Sequence, residues 1–166
     1  MENTEQRIET IRNDRTHGSR WLAREAVSIL YDLATDTTLP PAEAQQRLRN
    51  AAQKLSSARP AMAAVAGAVQ RVLNVQGSLA DIARAASELM EDIDSAPTRI
   101  LTYARPLVKG TLMTHSLSGT VLAVLAACAS QIEQVIVLEG RPGYEGRDVA
   151  RMLAKDGIAC TLITDA

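Results

Sequence analysis

The groups in this sequence that could do chemistry are two histidines, two cysteines and a set of arginines and hydroxyls set beside glycines. His17 stands in the run Arg12-Asn13-Asp14-Arg15-Thr16-His17-Gly18-Ser19. That run puts cations and a glycine before a helical pattern, where unpaired N–H groups and the positive end of the helix dipole favour an anion. An exposed capping loop is the plainer reading, and composition does not choose between the two. Arg59-Pro60 places a lone cation at a helix start, against the local dipole, a weak pointer to a ligand. His115-Ser116-Leu117-Ser118-Gly119 opens another helical stretch, and the Ser116, Ser118 and Thr120 hydroxyls with its backbone N–H groups suit a phosphate. Simple capping accounts for those hydroxyls and is the commoner outcome. In Glu139-Gly140-Arg141-Pro142, Arg141 could meet a ligand phosphate or fold back on Glu139 or Glu145; a structural ion pair is again the commoner result.

Several chemistries are excluded. No Gly-x-Gly-x-x-Gly follows a strand pattern, and there is no Walker loop. No His, Cys and acid converge to suggest nucleophilic catalysis. Cys128 and Cys160 are too few and too far apart for a zinc site or a disulfide framework, and both lie in apolar runs as buried thiols of a reducing compartment. No cofactor and no metal are expected. Lys+Arg is 18 against Asp+Glu 19, a net charge of -1 that leaves no basic excess for nucleic acid. Aromatics at 2% offer no base-stacking platform, while 46% apolar residues suffice for a core. The longest apolar run, Val121 to Ala129, falls short of the ~20 residues a bilayer span needs. The acidic, polar start Met-Glu-Asn-Thr-Glu is not a secretory signal, so a cytoplasmic protein with no membrane contact is expected.

The elements that would position these groups follow from the apolar period. Up to residue 108 it is helical, and 19 of the 27 alanines fall there, the mark of close-packed helices. One stripe runs Leu22, Ala26, Ile29, Leu30, Leu33, with Ser19 as its N-cap; a second, after Pro40-Pro41, runs Ala44, Leu48, Ala51, Ala52, Leu55. A third, started by Pro60, runs Met62, Val65, Val69, Val72, Leu73. A fourth runs Leu79, Ile82, Ala86, Leu89, Ile93, with Ser78 and Asp81 as an acidic capping box. Ile100 to Val108 reads as a fifth helix disturbed by Pro106. From Gly110 the pattern turns to strand (Thr111–Thr114), helix (Thr120–Ser130), buried parallel strand (Val135–Leu138), helix (Arg147–Asp156, closed by Gly157) and strand (Ile158–Thr164). The expected fold is α + α/β: a helical bundle over 1–108, then a βαβαβ half of a Rossmann-like parallel sheet over 109–166.

Taken together the motifs resemble a known family. The run from Arg12 to Ala23, the segment Ser57-Ala58-Arg59-Pro60-Ala61-Met62, and the loop Leu112-Met113-Thr114-His115-Ser116-Leu117-Ser118 are similar to its motifs. So are Glu139-Gly140-Arg141-Pro142, Tyr144-Glu145-Gly146-Arg147 and Thr161-Leu162-Ile163-Thr164-Asp165-Ala166, in the same order along the chain. The family unites the alpha, beta and delta subunits of eukaryotic translation initiation factor 2B with ribose-1,5-bisphosphate isomerase and methylthioribose-1-phosphate isomerase. The resemblance implies a helical domain, a Rossmann-like domain and a sugar-phosphate pocket. It implies ligand contacts at His17, Gly18, Ser19, Arg59, Ser116, Ser118, Gly119, Thr120 and Arg141.

The departures from the family pattern bear on activity. Where the isomerases carry a catalytic cysteine this chain has Ser116, whose hydroxyl is a far weaker acid than a thiol of pKa ~8.5. Where they carry Arg-Gly-Ala it has His17-Gly18-Ser19, without the arginine's permanent charge and fork of donors. The segments carrying the family's catalytic acid and its Asn-Lys phosphate site have no counterpart here. The expectation is a regulatory, initiation factor 2B-like protein that binds a phosphorylated sugar or nucleoside monophosphate without isomerase activity. The alternatives are a sugar-phosphate aldose–ketose isomerase and an assembly module with no ligand. A homo- or hetero-oligomer formed through the open edge of the half sheet is also expected.

Overall fold

The computed structural model describes residues 3–165. The chain divides into two compact units, one reaching to Asp94 and the other starting at Ser95. The first is built of α1 (Thr4–Asn13), α2 (Ser19–Thr35), α3 (Pro41–Ala58), α4 (Ala63–Leu73) and the start of α5 (Leu79–Ala104), which runs on into the second. Its core is one apolar cluster. Ile8 and Ile11 of α1 meet Leu22, Ile29 and Leu30 of α2, Leu48 and Leu55 of α3, Val65, Val69 and Val72 of α4, and Leu89 of α5. Alanines 26, 52 and 86 are fully buried between these larger side chains, so the alanine-rich composition serves close helix approach.

Three details correct the sequence reading. α1 was not expected: it is short and mostly polar, with only Ile8 and Ile11 buried, so its apolar period is too brief to register. An Asn3 capping box starts it. Ser19 is not the N-cap of α2; Gly18 holds that extended position with no side-chain bond, and Ser19 is the first helical residue. The fourth and fifth stripes form the single helix α5, which passes through Pro97 and ends at Ala104. The residue before a proline is pushed out of helical geometry, so Pro106 stops the helix before Arg105 instead of lying inside it. The Ser78–Asp81 box is present: Ser78 N–H donates to Asp81 Oδ2 at 2.9 Å and Asp81 N–H to Ser78 Oγ at 3.3 Å.

The second unit has the βαβαβ order: β1 (Gly110–Thr114), α6 (Gly119–Ala127), a 3₁₀ turn (Ala129–Gln131), β2 (Ile132–Leu138), α7 (Glu145–Lys155) and β3 (Cys160–Ile163). The sheet is parallel throughout, in the order β1-β2-β3, with Leu112 beside Val135 and Val135 beside Cys160. Val135 and Val137 are sealed under Leu125 of α6 and Val149 and Leu153 of α7. α6 is shorter than expected because Cys128 closes it in a bridge-like conformation and the chain tightens into the 3₁₀ turn. The α + α/β architecture is therefore the expected one.

Candidate functional site

In the first unit the polar groups singled out from the sequence gather around Asp14, just past the end of α1. Its carboxylate accepts from the His17 N–H at 2.7 Å, the Thr16 N–H at 2.9 Å and the His17 imidazole Nδ1 at 2.7 Å. Burial pushes the Asp14 carboxyl up, but the bonds from the His17 side chain and from the His17 and Thr16 backbones outweigh it and hold the group at about 2. The imidazole stacks on Trp21, with ring centroids 3.8 Å apart and planes 16° from parallel. Pinned at Nδ1 and stacked on its face, His17 has one fixed orientation, with Nε2 as its remaining polar edge.

Arg59 joins the same loop, but not from a helix start. It is the C-cap of α3. Its Nη1 donates to the Asp14 carbonyl at 2.6 Å and the Arg12 carbonyl at 3.2 Å. Those carbonyls close the C-terminal end of α1, where a cation is favoured, so the electrostatic misfit inferred at Arg59-Pro60 does not arise. His17, Gly18, Ser19 and Arg59 are thus brought together, with Asp14 as the hub that sequence reasoning missed. Its signal was an Asp three residues before a His in a glycine loop.

In the second unit the candidates lie at the carboxyl ends of the strands, where open parallel sheets bind ligands. Ser116, directly after β1, takes the left-handed conformation (φ 67°), uncommon for a residue with a Cβ. Its hydroxyl donates to Glu145 Oε1 at 3.2 Å. Ser118 is the N-cap of α6, accepting from the Val121 N–H at 3.3 Å, and Gly119 and Thr120 form the first helical turn. Arg141 folds back on Glu139, Nε donating at 2.5 Å, the ion pair weighed above as the commoner outcome. Glu139 is 7% exposed, the one charged residue among those found buried.

Two carboxylates hold this end of the sheet together. Glu145, at the start of α7, lies against Gly140 and Gly143, where an added Cβ would come within 3.0 Å and 2.8 Å of it. Asp165 accepts from the Gly140 N–H at 2.9 Å and the Arg141 N–H at 2.6 Å. Those backbone bonds, from Arg141 and then Gly140, hold its carboxyl below the ordinary range. Ser116 and the 140–143 loop therefore meet through Glu145, and Asp165 fixes the loop. Tyr144, left-handed at φ 57°, caps α7 with the Arg147 guanidinium 4.3 Å over its ring. Among the described residues no group of His, Cys, Asp and Glu is placed to hold a metal ion, and no helix is long and apolar enough to cross a membrane.

A helical unit followed by three parallel strands, with serine, arginine and carboxylate loops at the strand ends, defines an α + α/β protein of Rossmann-like type. Over residues 15–166 the chain matches the Initiation factor 2 subunit family, and it belongs to that family. It is 26% identical to a ribose 1,5-bisphosphate isomerase of Archaeoglobus fulgidus, over 100% of this chain and 55% of that one. It is 34% identical to a methylthioribose-1-phosphate isomerase of an Anaeromyxobacter species, over 72% of this chain and 40% of that one. Its fold overlays the crystal structure of Pyrococcus horikoshii translation initiation factor eIF-2B with a TM-score of 0.85 at 23% identity, covering 99% of this chain and 60% of that one. The chain thus spans somewhat over half the length of these relatives, and less of the last isomerase.

Proposed function

We propose that this chain is a non-catalytic member of the family that binds a phosphorylated sugar or a nucleoside monophosphate. The observation that carries the reading is Ser116. At the position matching the family's catalytic cysteine stands a hydroxyl that, among the described residues, is bonded to the Glu145 carboxylate and not to an imidazole. A serine is a useful acid, base or nucleophile only with a partner that takes its proton, and a carboxylate is a weak one near neutral pH. The ligand groups of the reading are His17, Gly18, Ser19 and Arg59 in the first unit. In the second they are Ser116, Ser118, Gly119, Thr120 and Arg141. The two free thiols fit a reducing, cytoplasmic setting.

A second reading, an active isomerase, draws on the same contact, since Ser116 with Glu145 is a donor–acceptor pair at the strand ends. Incubation with ribose-1,5-bisphosphate and with methylthioribose-1-phosphate, followed by assay of the ketose product, separates the two. The expected outcome is thermal stabilisation of the chain by sugar phosphates with no turnover. Turnover of ~1 per second or faster, lost in Ser116→Ala, overturns the proposal in favour of the isomerase.

A further inference from the structure

Two neighbours of His17 Nδ1 fix where the protons of the ring lie. The Asp14 carboxylate, 2.7 Å from Nδ1 and with its pKa at about 2, is ionised near neutral pH and can only accept. The Thr16 hydroxyl, 3.1 Å from the same nitrogen, gives its one proton to Asp14 Oδ2 at 3.3 Å, so at Nδ1 it too can only accept. Nδ1 therefore carries a hydrogen whether the ring is neutral or charged.

That leaves Nε2 with one of two characters. In the neutral ring it is a bare lone pair; in the imidazolium it is an N–H donor on a cation. A phosphate oxygen is itself an acceptor, so the first repels it and the second binds it. A histidine free to change tautomer offers an N–H to an anion even when neutral. His17 is denied that choice, because a lone pair at Nδ1 would face the Asp14 carboxylate. The stack on Trp21, with centroids 3.8 Å apart, holds the plane of the ring, and an indole face favours a cation.

We propose that Asp14 is a positioning residue that makes phosphate binding at His17 conditional on protonation of the imidazole, so that the loop takes up a phosphate and a proton together. The inference rests on the reading that His17, Gly18, Ser19 and Arg59 hold a phosphate, and adds how that grip responds to pH. The charged groups around the ring leave the response to the imidazole. Arg12 of α1 is paired with Glu9, Arg15 lies on the Asp14 carbonyl, and Arg59 at the end of α3 lies on the Asp14 and Arg12 carbonyls. From α2 come Arg20 and Arg24, the latter paired with Asp94 of α5; residues 63–70 of α4 carry no charge. Guanidinium charge is permanent, whereas an imidazole changes charge between pH 5 and 8.

Isothermal titration calorimetry of the 166-residue chain with ribose 5-phosphate and with adenosine monophosphate, from pH 7 to 8.5, tests this. Phosphate monoesters lose their second proton near pH ~6, so the probes stay dianionic throughout. The expected affinity falls as the pH rises, approaching about tenfold per pH unit. Buffers of different ionisation enthalpy should show close to one proton taken up per phosphate bound at the upper end of the range. His17→Arg supplies a charged donor at every pH and should bind without pH dependence. Asp14→Asn offers an amide N–H to Nδ1 and so releases the neutral Nε2–H tautomer; its slope should flatten, with binding kept at pH 8.5. His115→Gln removes the chain's other imidazole and should keep the parent's slope. If Asp14→Asn does not fold by circular dichroism, His17→Arg decides.

A parent that binds equally well across the range overturns the inference and leaves the binding reading standing. A parent that binds neither probe at any pH overturns that reading, and the inference with it. A slope that persists in His17→Arg or in folded Asp14→Asn, or is lost in His115→Gln, overturns the inference alone.

Discussion

Replacing Gly146 by alanine tests most directly how the second unit is assembled. The first turn of α7 lies on the end of β2, and an added Cβ would sit 1.8 Å from the Leu138 carbonyl oxygen, 2.8 Å from its carbon and 2.9 Å from the Glu139 Cα. All three are backbone atoms, so none can swing aside as a side-chain tip would. Carbon–oxygen contacts settle near ~3.3 Å even when attractive, so α7 must retreat by about 1.5 Å from the strand. A gap of 0.5–1 Å already forfeits a quarter to a half of the dispersion well. The residues that lose those contacts are Val149 and Leu153, 1% and 0% exposed beneath the sheet. Overpacking of this kind costs about 3 kcal/mol. Stretching the Gly146 N–H bond to the Glu139 carbonyl, now 3.1 Å, adds about 1 kcal/mol.

A loss of about 4 kcal/mol is a large share of a domain's stability of about 5–15 kcal/mol. Urea unfolding followed by circular dichroism reads the total, and hydrogen exchange over 132–155 locates it. The control is Gly157→Ala, at φ +75° with nothing within 4 Å of the added carbon. It pays only the left-handed penalty of about 1–2 kcal/mol. If Gly146→Ala costs no more than Gly157→Ala, or β2 and α7 keep their protection, the steric argument is wrong.

Gly67 predicts the opposite sign. It lies exposed inside α4 with nothing within 4 Å of a built Cβ, so Gly67→Ala should raise stability by about 0.5–1 kcal/mol, read as a higher urea midpoint. Asp14 predicts an acid limb. Its folded carboxyl at about 2 lies below its ordinary 3.8, so its contribution is complete above pH 4 and is lost as the pH falls through 2. At 1.36 kcal/mol per unit the ceiling is about 2.4 kcal/mol, and solvent screening around a half-exposed His17 brings it to about 1 kcal/mol. Asp14→Asn should flatten the stability curve between pH 4 and 2; an unchanged curve contradicts the assignment.

Much of the fold was legible because local rules and tertiary packing agree. The β-branched run Val135–Val137 can only be a buried strand, and Ser78 with Asp81 starts a helix whatever surrounds it. Where they disagreed the reading failed for identifiable reasons. α1 contributes two isoleucines to the core, too few to show a period. α5 carries Pro97 in its interior, because the segment before it is anchored by Ile82, Ala86 and Leu89, whose burial outweighs one missing N–H donor. Ser19 looks like a cap, but the chain turns one residue earlier, at Gly18.

The sequence offered the candidate groups by residue type and not their partners. Its side chains meet across long stretches of sequence: Arg59 and Asp14 are 45 residues apart, Ser116 and Glu145 29, Arg141 and Asp165 24. No spacing rule covers such separations, so the sequence could offer Arg59 and Arg141 as cations without showing what they already hold. Arg59 spends Nη1 on two helix-end carbonyls, and Arg141 spends Nε on a buried carboxylate. A guanidinium has five N–H donors in a fixed fork. An incoming phosphate must therefore use the directions left over, or replace protein acceptors that are satisfied without it. That competition is strongest at Arg141, because displacing Glu139 would leave a nearly buried carboxylate with Arg147, 4.0 Å away, as its remaining ion-pair partner. On the proposed reading the backbone N–H groups at the start of α6 carry no such cost, whereas the Ser116 hydroxyl already donates to Glu145 and the Ser118 hydroxyl already accepts from the Val121 N–H.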